Sequence, residues 1–120
     1  MKKTLISLLF FIFYLATHAQ VVYVDSKIGD DINPGNKESP VHSIHKAVEI
    51  INSKDNHTYT MKINPGIYVL DSHVSVGTGK DMTDKRIVIE ASILPDDSLW
   101  TPEKMPIIIC KALKGEIANK

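Results

Sequence analysis

The residues with the clearest capacity for chemistry in this sequence are the acidic and amide side chains of one short segment. Asp30, Asp31 and Asn33 offer the oxygen ligands that Ca²⁺ prefers. A calcium loop of the EF-hand type starting at Asp31 would need a carboxylate at its twelfth position, where this sequence has His42. We therefore predict a turn in which these side chains bond to the local backbone, and not a metal site.

Two histidines and a second acidic pair are the other candidates. His42 and His45 lie three positions apart, which places both on one side of a helix, but a zinc site needs further ligands at informative spacing. Asp96 and Asp97 are neighbours on a predicted turn, so their carboxylates point apart and do not form an acid–base couple. The histidines are predicted to be a surface pair. The sequence assigns no catalytic, cofactor-binding or metal-binding residue.

The first 19 residues have the pattern of a secretory signal. Lys2 and Lys3 precede an apolar stretch over residues 5–16, and Ala19 supplies a small residue for cleavage. Because the apolar stretch is shorter than the ~20 residues that span a bilayer, we expect cleavage and no membrane span afterwards. The mature chain would begin at Gln20, and its predicted location is secreted, periplasmic or cell-surface.

Composition limits both the fold and the partners. The chain of 120 residues carries 14 basic and 14 acidic side chains, so it has no basic surplus for nucleic acid. After residue 19, 14 Ile and 9 Val outnumber 4 Leu, and this β-branched excess favours strands over an all-α fold. The single cysteine, Cys110, cannot form an internal disulfide, and we predict that it is buried and inert.

One short amphipathic helix is predicted between residues 43 and 51, after a first strand at 21–24 and a turn-rich segment at 25–39. Ser43 is a suitable N-cap, and Ser39 before Pro40 is the alternative. The apolar positions of this helix recur at intervals of three and four: Val41, Ile44, Ala47, Val48 and Ile51.

The second half of the chain changes to the period-two alternation of strands. Strands are predicted around Ile63, Ile89 and Ile109, at residues 67–70, and at residues 74–76. Ile63, Ile89 and Ile109 are separated by 26 and 20 residues, which suits the stacked units of a β-solenoid.

Four segments in a fixed order resemble the opening of right-handed parallel β-helix proteins of the pectate-lyase-like superfamily. They are residues 23–25 (YVD), 29–35 (GDDINPG), 40–48 (PVHSIHKAV) and 61–68 (MKINPGIY). The sequence departs from the family pattern at Val41, where Phe is frequent, and at Asn36, where Thr is common. The resemblance covers about residues 22–91.

The resemblance implies an all-β fold, a right-handed parallel β-helix whose open end is covered by the short N-terminal helix. We accordingly predict a signal peptide at 1–19, a strand, loop and capping helix at 20–57, and the first two or three rungs at 58–120. A stable stack needs at least ~3 repeats with caps at both ends, so we expect the chain to be the N-terminal portion of a longer protein.

The resemblance and the predicted export together imply a protein that acts on polysaccharides, as a lyase or a glycoside hydrolase when full length. Two alternatives stay open: a non-catalytic module that binds glycans, and a truncated product without activity. Calcium is an implied cofactor of the longer protein only. Residues 20–120 alone are expected to show no turnover, because no paired carboxylates or calcium cluster occur in them.

Overall fold

A computed structural model describes residues 20–54, 58–77 and 86–111. The predicted signal peptide lies outside these residues. The described chain forms five strands and one α-helix: β1 (Gln20–Val24), α1 (Ile44–Asn52), β2 (Thr58–Ile63), β3 (Ile67–Leu70), β4 (Arg86–Ala91) and β5 (Ile107–Cys110). A short 3₁₀ turn, Pro102–Lys104, precedes β5.

The strands form two small parallel sheets. The first has the order β1-β2-β4, and the second pairs β3 with β5. In the first sheet Val22 lies beside Met61, and Met61 lies beside Ile89. In the second, Tyr68 lies beside Ile108. All pairings are parallel, so a long connection must separate each strand from its neighbour in the sheet.

The predicted all-β parallel β-helix is wrong. The described residues form a three-stranded sheet, a two-stranded sheet and one helix, and they contain no coil of stacked rungs. The prediction took Ile63, Ile89 and Ile109 as equivalent positions of successive rungs. The structure places the strands of Ile63 and Ile89 in one sheet, but it pairs Ile109 with Val69 in the other. The spacing of these residues along the chain therefore did not indicate equivalent positions.

The helix and four of the five predicted apolar positions are confirmed. The fifth, Val41, is buried but lies before the helix, where it forms a parallel bridge with Val24. Ser43 is the N-cap, and its side-chain oxygen accepts a hydrogen bond from the backbone N–H of Lys46 at 3.1 Å. The face with the three-and-four spacing is buried: Ile44, Ala47, Val48 and Ile51. This face packs against β1 and β3, so the helix lies beside both sheets.

The turn-rich segment between β1 and α1 covers the outer edge of β1. The backbone N–H of Tyr23 donates to the Gly35 carbonyl at 2.7 Å, and that of Asp25 donates to the Val41 carbonyl at 2.9 Å. Gly35 has a φ of 83°, a left-handed conformation that favours glycine. At Gly29 a side chain would collide with the carbonyl oxygens of Asp25 and Val41. The loop can therefore lie close against the strand.

The core is concentrated in the first half of the described chain. As the alternation predicted, Tyr59, Met61 and Ile63 of β2 are buried. The later predictions are less successful: residues 74–76 do not form a strand, and Ile89 of β4 is exposed. Cys110, predicted to be buried, is exposed, because no described residue covers the end of β5.

The described ranges contain no helix with the length and apolar character that crossing a membrane requires.

Candidate functional site

The candidate site is a cleft of about 300 Å³ between the start of α1 and strand β3. The helix side contributes His42, Ser43, Ile44 and His45, and Ser26 comes from the loop after β1. The other wall is β3 and the residue that follows it, namely Ile67, Tyr68, Val69, Leu70 and Asp71. The cleft thus combines an apolar wall with polar groups at its rim.

Asp31 fixes the helix side of the cleft. One carboxylate oxygen accepts hydrogen bonds from the backbone N–H groups of His42 at 2.9 Å and Ser43 at 2.8 Å, and the other accepts from the Ser43 hydroxyl at 2.8 Å. Partial desolvation raises the pKa of the Asp31 carboxyl, but these bonds, with those from Ser43 the largest, outweigh it and hold the pKa below its usual value. The charged carboxylate therefore anchors the segment that carries both histidines.

Tyr68 fixes the opposite wall. Its side chain is buried, and its hydroxyl donates to the Asn64 carbonyl at 2.7 Å and accepts from the Ser26 backbone N–H at 3.3 Å. Burial raises the pKa of this hydroxyl, which keeps it protonated as a donor. Tyr68 thus ties β3 to the turn before it and to the loop after β1, and its hydroxyl is engaged within the protein.

Asp25 stabilises the same region, where the loop after β1 meets the turn before β3. Its carboxylate accepts from the backbone N–H groups of Lys27 at 2.8 Å and Ile28 at 3.1 Å, and from the Asn64 side-chain amide at 2.9 Å. Desolvation raises the pKa of the Asp25 carboxyl, but the hydrogen bond from Asn64 and those from the two backbone groups together lower it below its usual value. This carboxylate is a structural acceptor and is not directed at a ligand.

A histidine–serine pair adjoins the cleft through His45, which lines it. The Ser72 hydroxyl is 2.8 Å from His45 Nε2, a distance typical of a nucleophile and its general base. The Asp71 carboxylate, however, accepts from Ser72 at 3.4 Å and makes no described bond to the imidazole. An acid that orients the base is therefore missing among the described residues, and Ser72 is exposed. The pair provides polar contacts rather than a catalytic triad.

The structure brings the two predicted histidines together at one cleft, and it uses the predicted loop side chains as structural groups. Asp30 accepts from the Ile32 N–H at 3.1 Å, so the predicted bonding to local backbone is confirmed for this side chain. The Asn33 amide donates to the Pro40 carbonyl at 2.9 Å, seven residues along the chain. Asp31 bonds to His42 and Ser43, at the far end of the loop. Asp96 and Asp97 do not line the cleft. Within the described ranges, no group of three or more His, Cys, Asp or Glu side chains is arranged to hold a metal.

The sequence analysis missed Ser26 and Asp71 as lining residues of the cleft and Ser72 as the hydrogen-bond partner of His45. Each of the three follows the end of a strand, but no sequence motif links them to the histidines. Ser72, for example, is 27 residues from His45 along the chain. Their proximity depends on the packing of α1 against the end of β3, which local patterns do not specify.

No protein-family model, curated protein or solved structure matches this chain. The function is therefore argued from the geometry and chemistry of the cleft.

Proposed function

We propose that this chain binds a neutral glycan in the cleft between α1 and β3, without cleaving it. The observation that carries the proposal is the pairing of an apolar wall, from Leu70 and its strand neighbours, with a rim formed by His42, His45 and Asp71. A sugar ring presents an apolar C–H face and a circumference of hydroxyls, which matches this division. The volume of about 300 Å³ is at the lower end of the range for ligand pockets, so it suits a single sugar unit.

The charges of the cleft favour a neutral ligand over an acidic one. Among the described residues that line it there is no Lys or Arg, and Asp71 is the one acidic side chain. A uronic acid would therefore meet a carboxylate without a compensating cation, which disfavours its binding. Imidazole, hydroxyl and carboxylate groups can each bond to uncharged hydroxyls.

Binding without cleavage follows from the same set of side chains. A glycoside hydrolase needs two carboxyl groups on either side of the scissile bond, and the described lining offers Asp71 alone. Asp31, which holds the helix side of the cleft, does not line it, and its two oxygens accept from the backbone N–H groups of His42 and Ser43 and from the Ser43 hydroxyl. His42 and His45 could take a proton as the base of a lyase does, but the described lining has no Lys or Arg to neutralise the carboxylate of the acidic sugar on which a lyase acts.

The choice of a glycan as the ligand class also draws on two predictions from the sequence. One is the resemblance of residues 22–91 to proteins that act on polysaccharides, and the other is export from the cell. Both stay predictions. They supply the class of ligand, and the cleft supplies the preference within that class.

The test is a binding measurement against a panel of neutral and acidic oligosaccharides, using the protein expressed from the full sequence. We compare the wild type with His45→Ala, which removes one rim group, and with His73→Ala as a matched control. His73 bonds to Ser75 at 2.7 Å just as His45 bonds to Ser72, but it does not line the cleft.

We expect a neutral oligosaccharide to bind, His45→Ala to weaken binding about three- to tenfold through the loss of one hydrogen bond, and His73→Ala to bind like the wild type. The proposal is wrong if no neutral glycan binds, or if the two variants bind equally well. Release of reducing ends or of unsaturated products would contradict binding without cleavage.

A further inference from the structure

The outer edge of β4 presents backbone hydrogen-bonding groups that are not paired with any strand in the part of the chain that the structure describes. The backbone N–H of Ser92, just after β4, donates to the Ile63 carbonyl at 2.9 Å, so even-numbered residues of this strand direct their backbone toward β2. Because neighbouring residues in a strand point in opposite directions, the N–H and C=O groups of Ile87 and Ile89 point outward. No strand in the described part of the chain pairs with this edge.

The apolar layer of the first sheet also stops abruptly at this edge. Val22, Met61 and Ile89 are in register across the three strands, and their exposed fractions are 2%, 0% and 53%. The first two side chains are covered on both sides by neighbours. Ile89 faces the same way as Met61 but lacks a neighbour on the outer side within residues 20–54, 58–77 and 86–111, so it is half exposed.

From these features we infer that two copies of this chain associate through β4, with the strands antiparallel about a two-fold axis at Val88. In that register Ile87 lies opposite Ile89 of the partner subunit. These are the residues with outward backbone groups, so each such pair exchanges two hydrogen bonds. The two symmetric pairs also extend the apolar layer across the axis and cover Ile89.

The charges of β4 select this partner and this register. Its sequence is RIVIE, from Arg86 to Glu90, so the two-fold axis at Val88 places Arg86 opposite Glu90 of the partner subunit, twice. These pairs occupy non-hydrogen-bonded positions, where opposing side chains are closest. A shift of the axis by one residue, to Ile89, retains outward backbone groups but puts Glu90 opposite Val88 of the partner subunit and removes both ion pairs. The edge is thus complementary to itself in one register.

The second sheet ends at the same side of the molecule and adds apolar surface there. β4 lies on β2, and β5 lies on β3, the strand that follows β2. β5 is therefore also an edge strand, and Ile107, Ile108 and Ile109 are all about half exposed. An exposed apolar edge of this kind is usually covered by another strand or surface.

The test is sedimentation analysis of the protein expressed from the full sequence, over a range of concentrations. Arg86→Glu and Glu90→Arg each place like charges opposite one another at both symmetric positions. The control is Lys37→Glu, which makes the same change of charge as Arg86→Glu at an exposed loop residue. Glu90 also pairs with Lys62 at 3.3 Å, so the melting temperature of each variant is recorded as a check on folding.

We expect a dimer for the wild type and for Lys37→Glu, and a dimer dissociation constant about tenfold or more weaker for either edge variant. An equimolar mixture of the two edge variants should restore dimers, because each glutamate then faces an arginine. A monomeric wild type, or edge variants that dimerise as well as Lys37→Glu, would overturn the inference. If Glu90→Arg does not fold, the comparison of Arg86→Glu with Lys37→Glu decides the question alone.

Discussion

Two buried tyrosines differ in their hydrogen bonds, so replacement by Phe is expected to change the stability of the protein differently at each position. Tyr59 and Tyr68 are 0% and 4% exposed. The Tyr68 hydroxyl bonds to the Asn64 carbonyl and to the Ser26 N–H, whereas the Tyr59 hydroxyl is buried without a hydrogen-bond partner among the described residues. Replacing each with Phe removes one oxygen atom and leaves the ring in place. The difference between the two variants therefore isolates the hydrogen bonds.

The expected change in the free energy of unfolding depends on which groups each substitution leaves without a hydrogen-bond partner. Tyr68→Phe removes the hydroxyl and leaves the Asn64 carbonyl and the Ser26 N–H without it, which costs about 1–3 kcal/mol of the free energy of unfolding. Tyr59→Phe removes a hydroxyl that loses its hydration on folding and forms no hydrogen bond with the described residues in exchange. Its effect on the free energy of unfolding should therefore be neutral or stabilising by up to ~1 kcal/mol.

The assay is urea denaturation with thermal melting as a second measurement. For a domain of this size, ~1 kcal/mol corresponds to about 4–8 °C in the melting temperature, so the two variants should differ clearly. The reasoning is refuted if Tyr68→Phe is as stable as the wild type, or if Tyr59→Phe is the less stable of the two.

Two further predictions concern the core and the acid stability. Val48→Asp should lower the free energy of unfolding by roughly 3–5 kcal/mol, since it buries an unpaired charge on the inner face of α1; the same change at exposed Val76 should have a far smaller effect in the same denaturation assay. The pKa values of Asp25 and Asp31 are lowered in the folded protein from the ordinary value of 3.8. Their contribution to stability is therefore complete above about pH 4 and is lost as the pH falls through the folded pKa values. Denaturation at a series of acidic pH values should show this loss and a weaker pH dependence for Asp31→Ala; an unchanged pH dependence in the variant would contradict the role of this carboxylate.

Patterns that depend on near neighbours in the chain predicted the helix and the buried strand. The spacing of Ile44, Ala47, Val48 and Ile51 identified the inner face of α1, because a helix repeats every 3.6 residues whatever it packs against. The alternation in β2 identified its buried side in the same way. Ser43 was recognisable as an N-cap because its bond to Lys46 is local.

Predictions that depended on distant pairing were wrong or incomplete. The spacing of Ile63, Ile89 and Ile109 did not reveal that the last of these strands joins a different sheet, because register is set by tertiary contacts. Cys110 resembled a core residue from its apolar neighbours, yet the whole of β5 is exposed. The sequence did not reveal the cleft: His42 and His45 were predicted only as a surface pair, and the opposite wall comes from a segment more than twenty residues later.

The loop that covers β1 has a consequence for how large an assembly can become. Its carbonyl groups at Gly35 and Val41 already accept from the backbone N–H groups of Tyr23 in β1 and of Asp25 just after it. The loop therefore covers one side of the first sheet, and no strand among the described residues covers the other. If copies join through β4, each copy uses the side of the first sheet that no described strand covers, and the two-fold axis closes this contact at two subunits. A chain with both sides free could add copies indefinitely and form fibres. The glycines that let this loop lie close against β1 therefore act against polymerisation, and substitutions at Gly29 would threaten solubility as well as stability.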